Sequence, residues 1–381
     1  MPLRTPQQNE PVTRTISQIP RLLGICRPPI LRFLDFMETS LAGVHSAVQS
    51  RMFSAWRRAL SVLKHGTDEY PKFAPDAASD YAARRKLEAE HWQEEVAREG
   101  SEIRAWLDHP DILAFYVKRR RIDSLDWPEW LPYYFGGQAD SAAELGCGSG
   151  SWGIKLLDLG VVKRVIGYDV SAGRLSVALE HARKGNRRAL YVLQDVNGLS
   201  LREGAFDLIF SCHSFHHFSN LEAIMDQIQK GLTPRGLFIL EEFVGPSVFQ
   251  WTDLQLQVTN DLLALLPPRF RRCGHSNQEP ANLKNSHPRP RVEDVQAVSP
   301  FEAIRSEQIL PLFRERFKVI YEKPLGGTIQ HLLYDGIIHN FAPGDPEASL
   351  ILKSIDNLEE LLIRGGALPS DFMLLVGGKK T

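Results

Sequence analysis

The hydrophobic pattern of the chain changes character near residue 139. Before it, apolar residues recur every three or four positions, most regularly over residues 29–64, which is the spacing of one helical face. From residue 139 to about 245, short apolar runs alternate with helical patterns. Strands that are apolar throughout and alternate with helices predict an α/β fold, a doubly wound parallel sheet covered on both faces.

The apolar runs also give the expected order of the elements. The predicted strands lie at residues 142–145, 164–169, 189–194, 206–212, 237–242, 317–322 and 372–380. The helices predicted between them lie at residues 151–159, 173–184, 220–232, 328–341 and 348–364. We therefore expect a Rossmann-like sheet of seven strands, with helical segments added to it.

Composition and pattern together divide the chain into five parts. We predict a flexible N-terminus (1–28), a helical cap (29–138), a central core (139–245), a lid insertion (246–300) and a C-terminal part of the core with inserted helices (301–381). The helix predicted over residues 29–64 is basic and amphipathic. Such a helix suits either the surface of a membrane or packing against the body or a second subunit, as in a homodimer.

Charge and cysteine usage narrow the class of protein. The chain has 45 basic and 46 acidic residues, so no overall positive field favours a nucleic-acid partner. Its four cysteines are far apart and show neither a disulfide framework nor a metal-ligand spacing. We find no apolar run long enough for a bilayer and no secretory signal pattern, and we expect a cytoplasmic protein.

The most informative stretch is a glycine-rich loop after the first predicted strand. Gly146, Gly148 and Gly150 are spaced by two residues, and a predicted helix follows at once. Glycines allow the backbone to turn sharply and approach a ligand closely, so the loop predicts a nucleotide-type site. The segment 148–153 also satisfies G-x-G-x-x-G with Asp169 further on, which favours an NAD(P)-dependent oxidoreductase.

Two acids favour a different nucleotide. Glu144 precedes the glycines, where a pyrophosphate gains nothing from a carboxylate, and Asp195 ends the third predicted strand, where an adenine amino group could donate to it. A ligand with a ribose, an adenine and a cationic amino-acid tail fits this pattern better than one with two phosphates.

The same residues resemble a known family. The loop 144–150, Asp169, Asp195, the segment 206–218 and the segment 232–241 are similar, in this order, to the motifs of class I S-adenosylmethionine-dependent methyltransferases. The resemblance implies an antiparallel seventh strand and S-adenosylmethionine as cofactor. The sequence departs from the family's pattern at Arg235, which stands where the family usually has a glycine. The resemblance assigns the cofactor site to Glu144, Gly146, Cys147, Gly148, Gly150, Asp169, Val170, Asp195, Val196 and Ser211.

Candidate catalytic residues follow the fourth and fifth predicted strands. Methyl transfer is an in-line displacement, and a hydroxyl acceptor also needs a base. His213 is best placed for this role, with His216 and Glu241 as rivals, and no metal-ligand spacing accompanies them. We expect methyl transfer to a small molecule, at oxygen. The alternatives are the NAD(P)-dependent oxidoreductase and a methyltransferase-like binding protein without catalysis.

Overall fold

A seven-stranded sheet forms the centre of the protein. The computed structural model describes residues 81–96, 103, 105–185, 187–274 and 282–380. The strands are β1 (Ala142–Leu145), β2 (Val165–Asp169), β3 (Ala189–Leu193), β4 (Phe206–Cys212), β5 (Leu232–Phe243), β6 (Lys318–Gly326) and β7 (Phe372–Gly378). Their spatial order is β3-β2-β1-β4-β5-β7-β6, and β7 runs antiparallel to both of its neighbours. The predicted fold class, including the antiparallel closing strand, is confirmed.

Helices precede the sheet and connect its strands. Those before β1 are α1 (Tyr81–Val96), α2 (Pro110–Arg119) and α3 (Trp127–Phe135). Those within the parallel part are α4 (Ser151–Asp158), α5 (Ala172–Lys184) and α6 (Leu221–Gly231). The remainder are α7 (Asp253–Leu263), α8 (Val292–Val298), α9 (Ser306–Arg316), α10 (Gln330–Tyr334) and α11 (Pro346–Arg364).

Both faces of the sheet are buried because successive strand residues point to opposite sides. In β4, Leu208 and Phe210 join one hydrophobic cluster, while Ile209 between them joins the other. The first cluster also contains residues of α7 and α11, and the second contains residues of α6 and α9. This two-sided burial explains why the strands read as nearly continuous apolar runs.

The strand order reverses between β1 and β4. The chain passes from β1 through β2 to β3 in one direction and then returns to place β4 on the other side of β1. Ligands of such sheets bind in the crevice at this point, beyond the carboxyl ends of the strands. The glycine-rich loop leaves β1 there.

The aromatic segment before β1 forms the helix α3. Asp126 caps α3 by accepting a hydrogen bond from Trp127 N, and Pro128 occupies the first turn, where a missing N–H costs little. Gly136, at φ 73°, ends the helix in the left-handed conformation. Pro128 and Gly136 therefore mark the start and the end of this short helix.

The segment predicted to be a lid packs into the body instead. Val258, Leu263 and Phe270 belong to the main hydrophobic cluster, and the buried Lys284 Nζ donates to the carbonyl of Leu332 at 2.8 Å. The part of the described chain that covers the crevice is α1, which comes from the opposite end of the sequence. The apolar face of α7 therefore packs into the hydrophobic core.

Some predictions fall on residues outside the described ranges. The helix over residues 29–64, and with it the membrane-surface hypothesis, is among them, and so is residue 26, one of the four cysteines. The other three, Cys147, Cys212 and Cys273, are free thiols. Within the described ranges, no helix combines the length and the apolar character that crossing a membrane requires.

Candidate active site

A cavity of about 480 Å³ lies beyond the carboxyl ends of β1, β2 and β4, beneath α1. Of the predicted site residues, those that line it are Glu144, Gly146, Cys147, Gly148, Asp169, Val170, Asp195, Val196 and His213. Gly150, Ser211, His216 and Glu241 are not among its lining residues. The structure therefore brings together most of the predicted cofactor site and one of the three predicted catalytic residues.

Two positions of the glycine-rich loop require glycine, because of their backbone conformation and because of close packing. Gly146 and Gly150 have φ values of 69° and 75°, which disfavour other residues. A Cβ at Gly146 would lie 2.5 Å from Ser214 Cβ, and one at Gly150 would lie 2.5 Å from Tyr191 Oη. Gly150 thus acts as the cap of α4 and allows close packing, rather than facing the cavity.

The loop offers carbonyl oxygens more readily than N–H groups. The N–H groups of Gly146 and Cys147 both donate to Tyr168 O, and Gly148 N donates to Asp169 Oδ2. A pyrophosphate needs such N–H groups to be available, whereas an ammonium group needs acceptors. Gly146 O accepts from Ser214 Oγ at 2.8 Å and has a second lone pair. This geometry favours a cationic ligand over the dinucleotide of the oxidoreductase alternative.

Asp169 is fixed at the end of β2 by two backbone donors. Its Oδ1 accepts from Ser171 N and its Oδ2 from Gly148 N, both at 2.8 Å. Burial raises the pKa of Asp169, although these hydrogen bonds oppose the shift. Each carboxylate oxygen keeps a lone pair after these bonds, so the pair can accept the two hydroxyls of a ribose.

Asp195 follows β3 and belongs to a small polar group. Its Oδ1 accepts from Asn197 N at 2.9 Å, and its Oδ2 accepts from the Tyr81 hydroxyl at 2.7 Å. Tyr81 is the first residue of α1, so the helix above the cavity contacts the residue that we expect to bind adenine. Val196 is buried beside it.

Glu144 connects β1 to the helix after the loop. Its Oε2 accepts from Gly153 N at 3.0 Å, and its side chain is 3% exposed. Burial, with a contribution from the nearby Asp169, raises the pKa of Glu144 to about 8. The group is therefore largely protonated at neutral pH and orders the first turn of α4 without adding a full charge to the site.

His213 is the predicted base that faces the cavity. It follows β4 with φ 54°, a conformation that few residues other than glycine adopt. Its Nε2 lies 3.6 Å from Glu241 Oε1, and its backbone N donates to Glu241 O at 2.9 Å. Strained backbone of this kind is frequent where a side chain must be held in place.

Glu241 is buried behind His213 and does not reach the cavity. It accepts hydrogen bonds from Arg120 Nη1 at 3.0 Å and Trp127 Nε1 at 2.7 Å. Burial alone would raise the pKa of Glu241, but the contacts with His213 and Arg120 outweigh it and lower the pKa. The carboxylate is thus ionised and committed to its partners. This geometry argues against the prediction that Glu241 is itself a base.

His216 is likewise not arranged to accept a proton from a ligand. Its Nδ1 lies 2.5 Å from Glu242 Oε1, and its Nε2 lies 3.4 Å from Glu302 Oε1. Burial would lower the pKa of His216, but these two carboxylates raise it to about 10. In this state the imidazole is protonated at neutral pH, which argues against the prediction that it is a base. Ser211 is fully buried within β4 and is not among the residues that line the cavity.

The sequence analysis missed the contribution of α1 to the site. Arg85, Glu88 and Trp92 line the cavity together with Tyr81. The edge of the Trp92 ring meets His217 at 5.1 Å, and the Arg174 guanidinium lies 4.8 Å from the Trp92 ring centre. The aromatic character of Trp92 is compatible with a pocket role, but no sequence signal singles out Arg85 or Glu88.

Comparison with known proteins agrees with this geometry. Residues 143–240 match the family model described as "Methyltransferase domain". This segment of the chain is therefore similar to methyltransferase domains, in agreement with the predicted resemblance to class I S-adenosylmethionine-dependent methyltransferases. The matched segment covers β1 to most of β5, which are the elements that form the glycine-rich loop and hold Asp169, Asp195 and His213.

Individual relatives share only part of their length with this chain. The human "Arginine-hydroxylase NDUFAF5, mitochondrial" is 30% identical over 109 residues, which are 29% of this chain and 30% of that protein. The "Uncharacterized protein YafE" of Escherichia coli (strain K12) is 28% identical over 86 residues, which are 22% of this chain and 42% of that protein. The chain thus spans well under half the length of these relatives.

A solved structure with a related fold is geranyl diphosphate C-methyltransferase from Streptomyces coelicolor A3(2), which was crystallised with Mg²⁺, geranyl diphosphate and S-adenosyl-L-homocysteine. It is 15% identical, with a TM-score of 0.42, and the alignment covers 79% of this chain and 100% of that chain.

Proposed function

We propose that this protein binds S-adenosylmethionine and transfers its methyl group to an oxygen atom of a small molecule. The observation that carries the proposal is the pairing of His213 with the buried Glu241, because the histidine lines the same cavity as the residues suited to the cofactor. The pair of His213 and Glu241 supplies a base, and the residues suited to the cofactor supply a nucleoside site. Together they match what methyl transfer to a hydroxyl requires.

The cofactor side is proposed to work through fixed acceptors. Asp169 accepts the ribose hydroxyls, Asp195 accepts the adenine amino group, and Val170 and Val196 pack on the ring. The carbonyl of Gly146 is available to the ammonium of the amino-acid tail. When bound, S-adenosylmethionine supplies a methyl group on a positively charged sulfur, which is already activated for displacement. The role of the protein is then to align the acceptor and exclude water.

On the acceptor side, His213 is proposed to remove a proton from the acceptor hydroxyl. The His213 side chain is one-third exposed and lines the cavity, so an acceptor hydroxyl can reach its free ring nitrogen. Glu241 lies beside Nε2 and stabilises the imidazolium that forms when His213 accepts the proton. Arg120 and Trp127 keep Glu241 in place, and the four residues therefore act as one unit.

Side chains on α1 and before α9 also line the cavity. Trp92 of α1 and Phe301 before α9 provide apolar surface for the acceptor, whereas Arg85 of α1 lies 3.9 Å from Asp195, on the proposed cofactor side. The limited volume of the cavity and the near-zero net charge of the chain favour a small molecule over a nucleic acid. The cytoplasmic location and the homodimer stay predictions.

The experiment uses the full chain with S-adenosylmethionine carrying a labelled methyl group. Binding is measured by calorimetry against NAD and NADP, and transfer is measured over a panel of phenols, alcohols, carboxylic acids and amines. We expect binding of S-adenosylmethionine alone and label in an oxygen-linked methyl group. Identification of the product by mass matters because one relative bears the name of a hydroxylase.

Three results would count against the proposal. Binding of a dinucleotide in place of S-adenosylmethionine would favour the oxidoreductase. Binding without transfer to any acceptor would favour a non-catalytic protein. Transfer only to nitrogen or carbon would keep the activity but remove the role that we give to His213.

A further inference from the structure

Two neighbouring histidines and a distant glutamate meet beside the cavity. His216 and His217 lie on the short turn after β4 (Phe215–His217), and Glu302 precedes α9. One ligand atom from each of the three lies within 4.8 Å of the others. We propose that His216, His217 and Glu302 bind one divalent transition-metal ion.

The distances between these side chains suit an ion better than direct hydrogen bonds. His216 Nε2 lies 3.4 Å from Glu302 Oε1, and His217 Nε2 lies 3.8 Å from Glu302 Oε2. Hydrogen bonds between nitrogen and oxygen span about 2.7–3.2 Å. Two ligands bound tetrahedrally to zinc, each at about 2.0–2.1 Å, are about 3.3 Å apart. The ligand atoms of all three groups lie within 4.8 Å of one another, so each pair must approach by at most about 1.5 Å to bind one ion.

The opposite ring nitrogens face buried carboxylates. His216 Nδ1 lies 2.5 Å from Glu242 Oε1, and His217 Nδ1 lies 3.0 Å from Glu88 Oε1, although its N–H is not aligned for a hydrogen bond. Glu242 also accepts from Phe215 N, which fixes its position. Histidines that bind metals commonly have such a carboxylate behind them, because it orients the ring and turns the other nitrogen to the metal.

The charges of the cluster call for a cation. Glu88, Glu242 and Glu302 place three carboxylates around two imidazoles, and the first two are at most 4% exposed. Either protons on both imidazoles or a divalent ion can balance much of this negative charge. The first possibility gives an ion-pair network without a metal, and the test must separate the two.

The set of ligands indicates the class of metal. Two imidazoles and one carboxylate suit zinc, iron or cobalt, whereas Mg²⁺ and Ca²⁺ prefer oxygen ligands only. Three protein ligands leave coordination positions open, and both His217 and Glu88 line the cavity. A bound ion would thus stand next to the space in which we place the acceptor. The inference is independent of the proposed function, because metal binding is measured without turnover.

The test is a metal titration of the full chain after removal of bound metal with a chelator. We expect one equivalent of Zn²⁺ to bind, and Co²⁺ in its place to give visible absorption bands. Glu302→Gln should weaken binding at least tenfold. The matched control is Glu307→Gln, five positions further along the chain. The carboxylate of Glu307 is half-buried and accepts a hydrogen bond from Ser247 N. This control should bind as the wild type does.

A second measurement does not depend on a variant that folds. X-ray absorption of the wild-type protein with one equivalent of Zn²⁺ should show nitrogen and oxygen ligands at about 2.0–2.1 Å, including two imidazoles. Absence of stoichiometric binding, equal affinity in Glu302→Gln and wild type, or a zinc spectrum without imidazole scattering would each overturn the proposal. Absence of stoichiometric binding would mean that the cluster is a protonated ion-pair network without a metal.

Discussion

The side of the cavity proposed for the cofactor and the side proposed for the acceptor are built by different means. On the cofactor side, carboxylates are held by backbone N–H groups from nearby elements, as Asp169 is held by Gly148 and Ser171. On the acceptor side, side chains hold one another across long stretches of sequence. Glu241 and its partner Arg120 are 121 positions apart, and Glu88 and its partner Ser299 are 211 apart.

The difference has an energetic consequence. A backbone donor stays in place when a neighbouring side chain is replaced, so the cofactor side should tolerate single substitutions structurally while losing affinity. A buried ion pair behaves otherwise, because removal of one partner leaves an unpaired charge and costs about 3–5 kcal/mol. On the acceptor side, substitutions that lower activity should therefore also lower the stability of the fold.

The largest effect is expected on the acceptor side, from His213→Asn. Asparagine tolerates the positive φ of this position but cannot accept a proton at neutral pH. General-base catalysis contributes about 10²–10⁴-fold, so kcat for a hydroxyl acceptor should fall by that factor. The affinity for S-adenosylmethionine should change little. Both are measured by steady-state kinetics and calorimetry.

A matched control is His287→Asn, because His287 is partly buried but does not line the cavity. It should keep the wild-type kcat. If His213→Asn keeps its kcat as well, the acceptor needs no base from this residue, and the functional contrast between the two sides disappears. A second variant, Glu241→Gln, should lower kcat less than His213→Asn does, since Glu241 acts through the histidine.

The same contrast explains what could be predicted from the sequence. The residues proposed for the cofactor could be singled out in the sequence because they are local: the glycines, Glu144 and the acids at strand ends follow one another in the order of the strands. The buried parallel strands were readable for the same reason, since each is a continuous apolar run. The seven-stranded sheet and its closing antiparallel strand were therefore predicted correctly.

The acceptor side was readable only in part. His213 was found because it directly follows β4, but nothing in the sequence shows that Arg120 meets Glu241 or that Glu302 meets His216. Such pairs depend on how α2 and the segment before α9 return to the sheet. The cover of the cavity was misplaced for a related reason: α7 has an apolar face, and a sequence alone does not distinguish a face that packs on the core from one that covers a ligand.

A smaller effect is expected on the cofactor side, from Asp169→Asn. The asparagine keeps one acceptor for the backbone donors but loses a charged hydrogen bond to the ribose, which is worth about 1.5–3 kcal/mol. The affinity for S-adenosylmethionine should thus fall roughly 10- to 100-fold, as measured by calorimetry. The fold should remain, because the hydrogen bonds from Gly146 N and Cys147 N to Tyr168 O stay, although one of the two backbone donors of Asp169 loses its acceptor.

The control for this variant is Asp158→Asn, which removes a carboxylate paired with Arg187 at the surface. We expect no change in affinity, since exposed ion pairs contribute little and this one is outside the cavity. Unchanged affinity in Asp169→Asn would show that the ribose is bound elsewhere. Unfolding of that variant would show that the cofactor side, like the acceptor side, depends on its charges.

The smallest effect should come from Tyr81→Phe, which tests the contact between the two sides. Tyr81 belongs to α1, and its hydroxyl donates to Asp195 on the cofactor side. One net hydrogen bond is worth about 0.5–1.5 kcal/mol, so loss of this orienting contact should weaken S-adenosylmethionine binding about two- to tenfold. Tighter binding would mean that the hydroxyl competes with adenine for Asp195. In that case α1 closes the empty site and must release Asp195 before the cofactor enters, and the two sides of the cavity would be coupled through the helix rather than built independently.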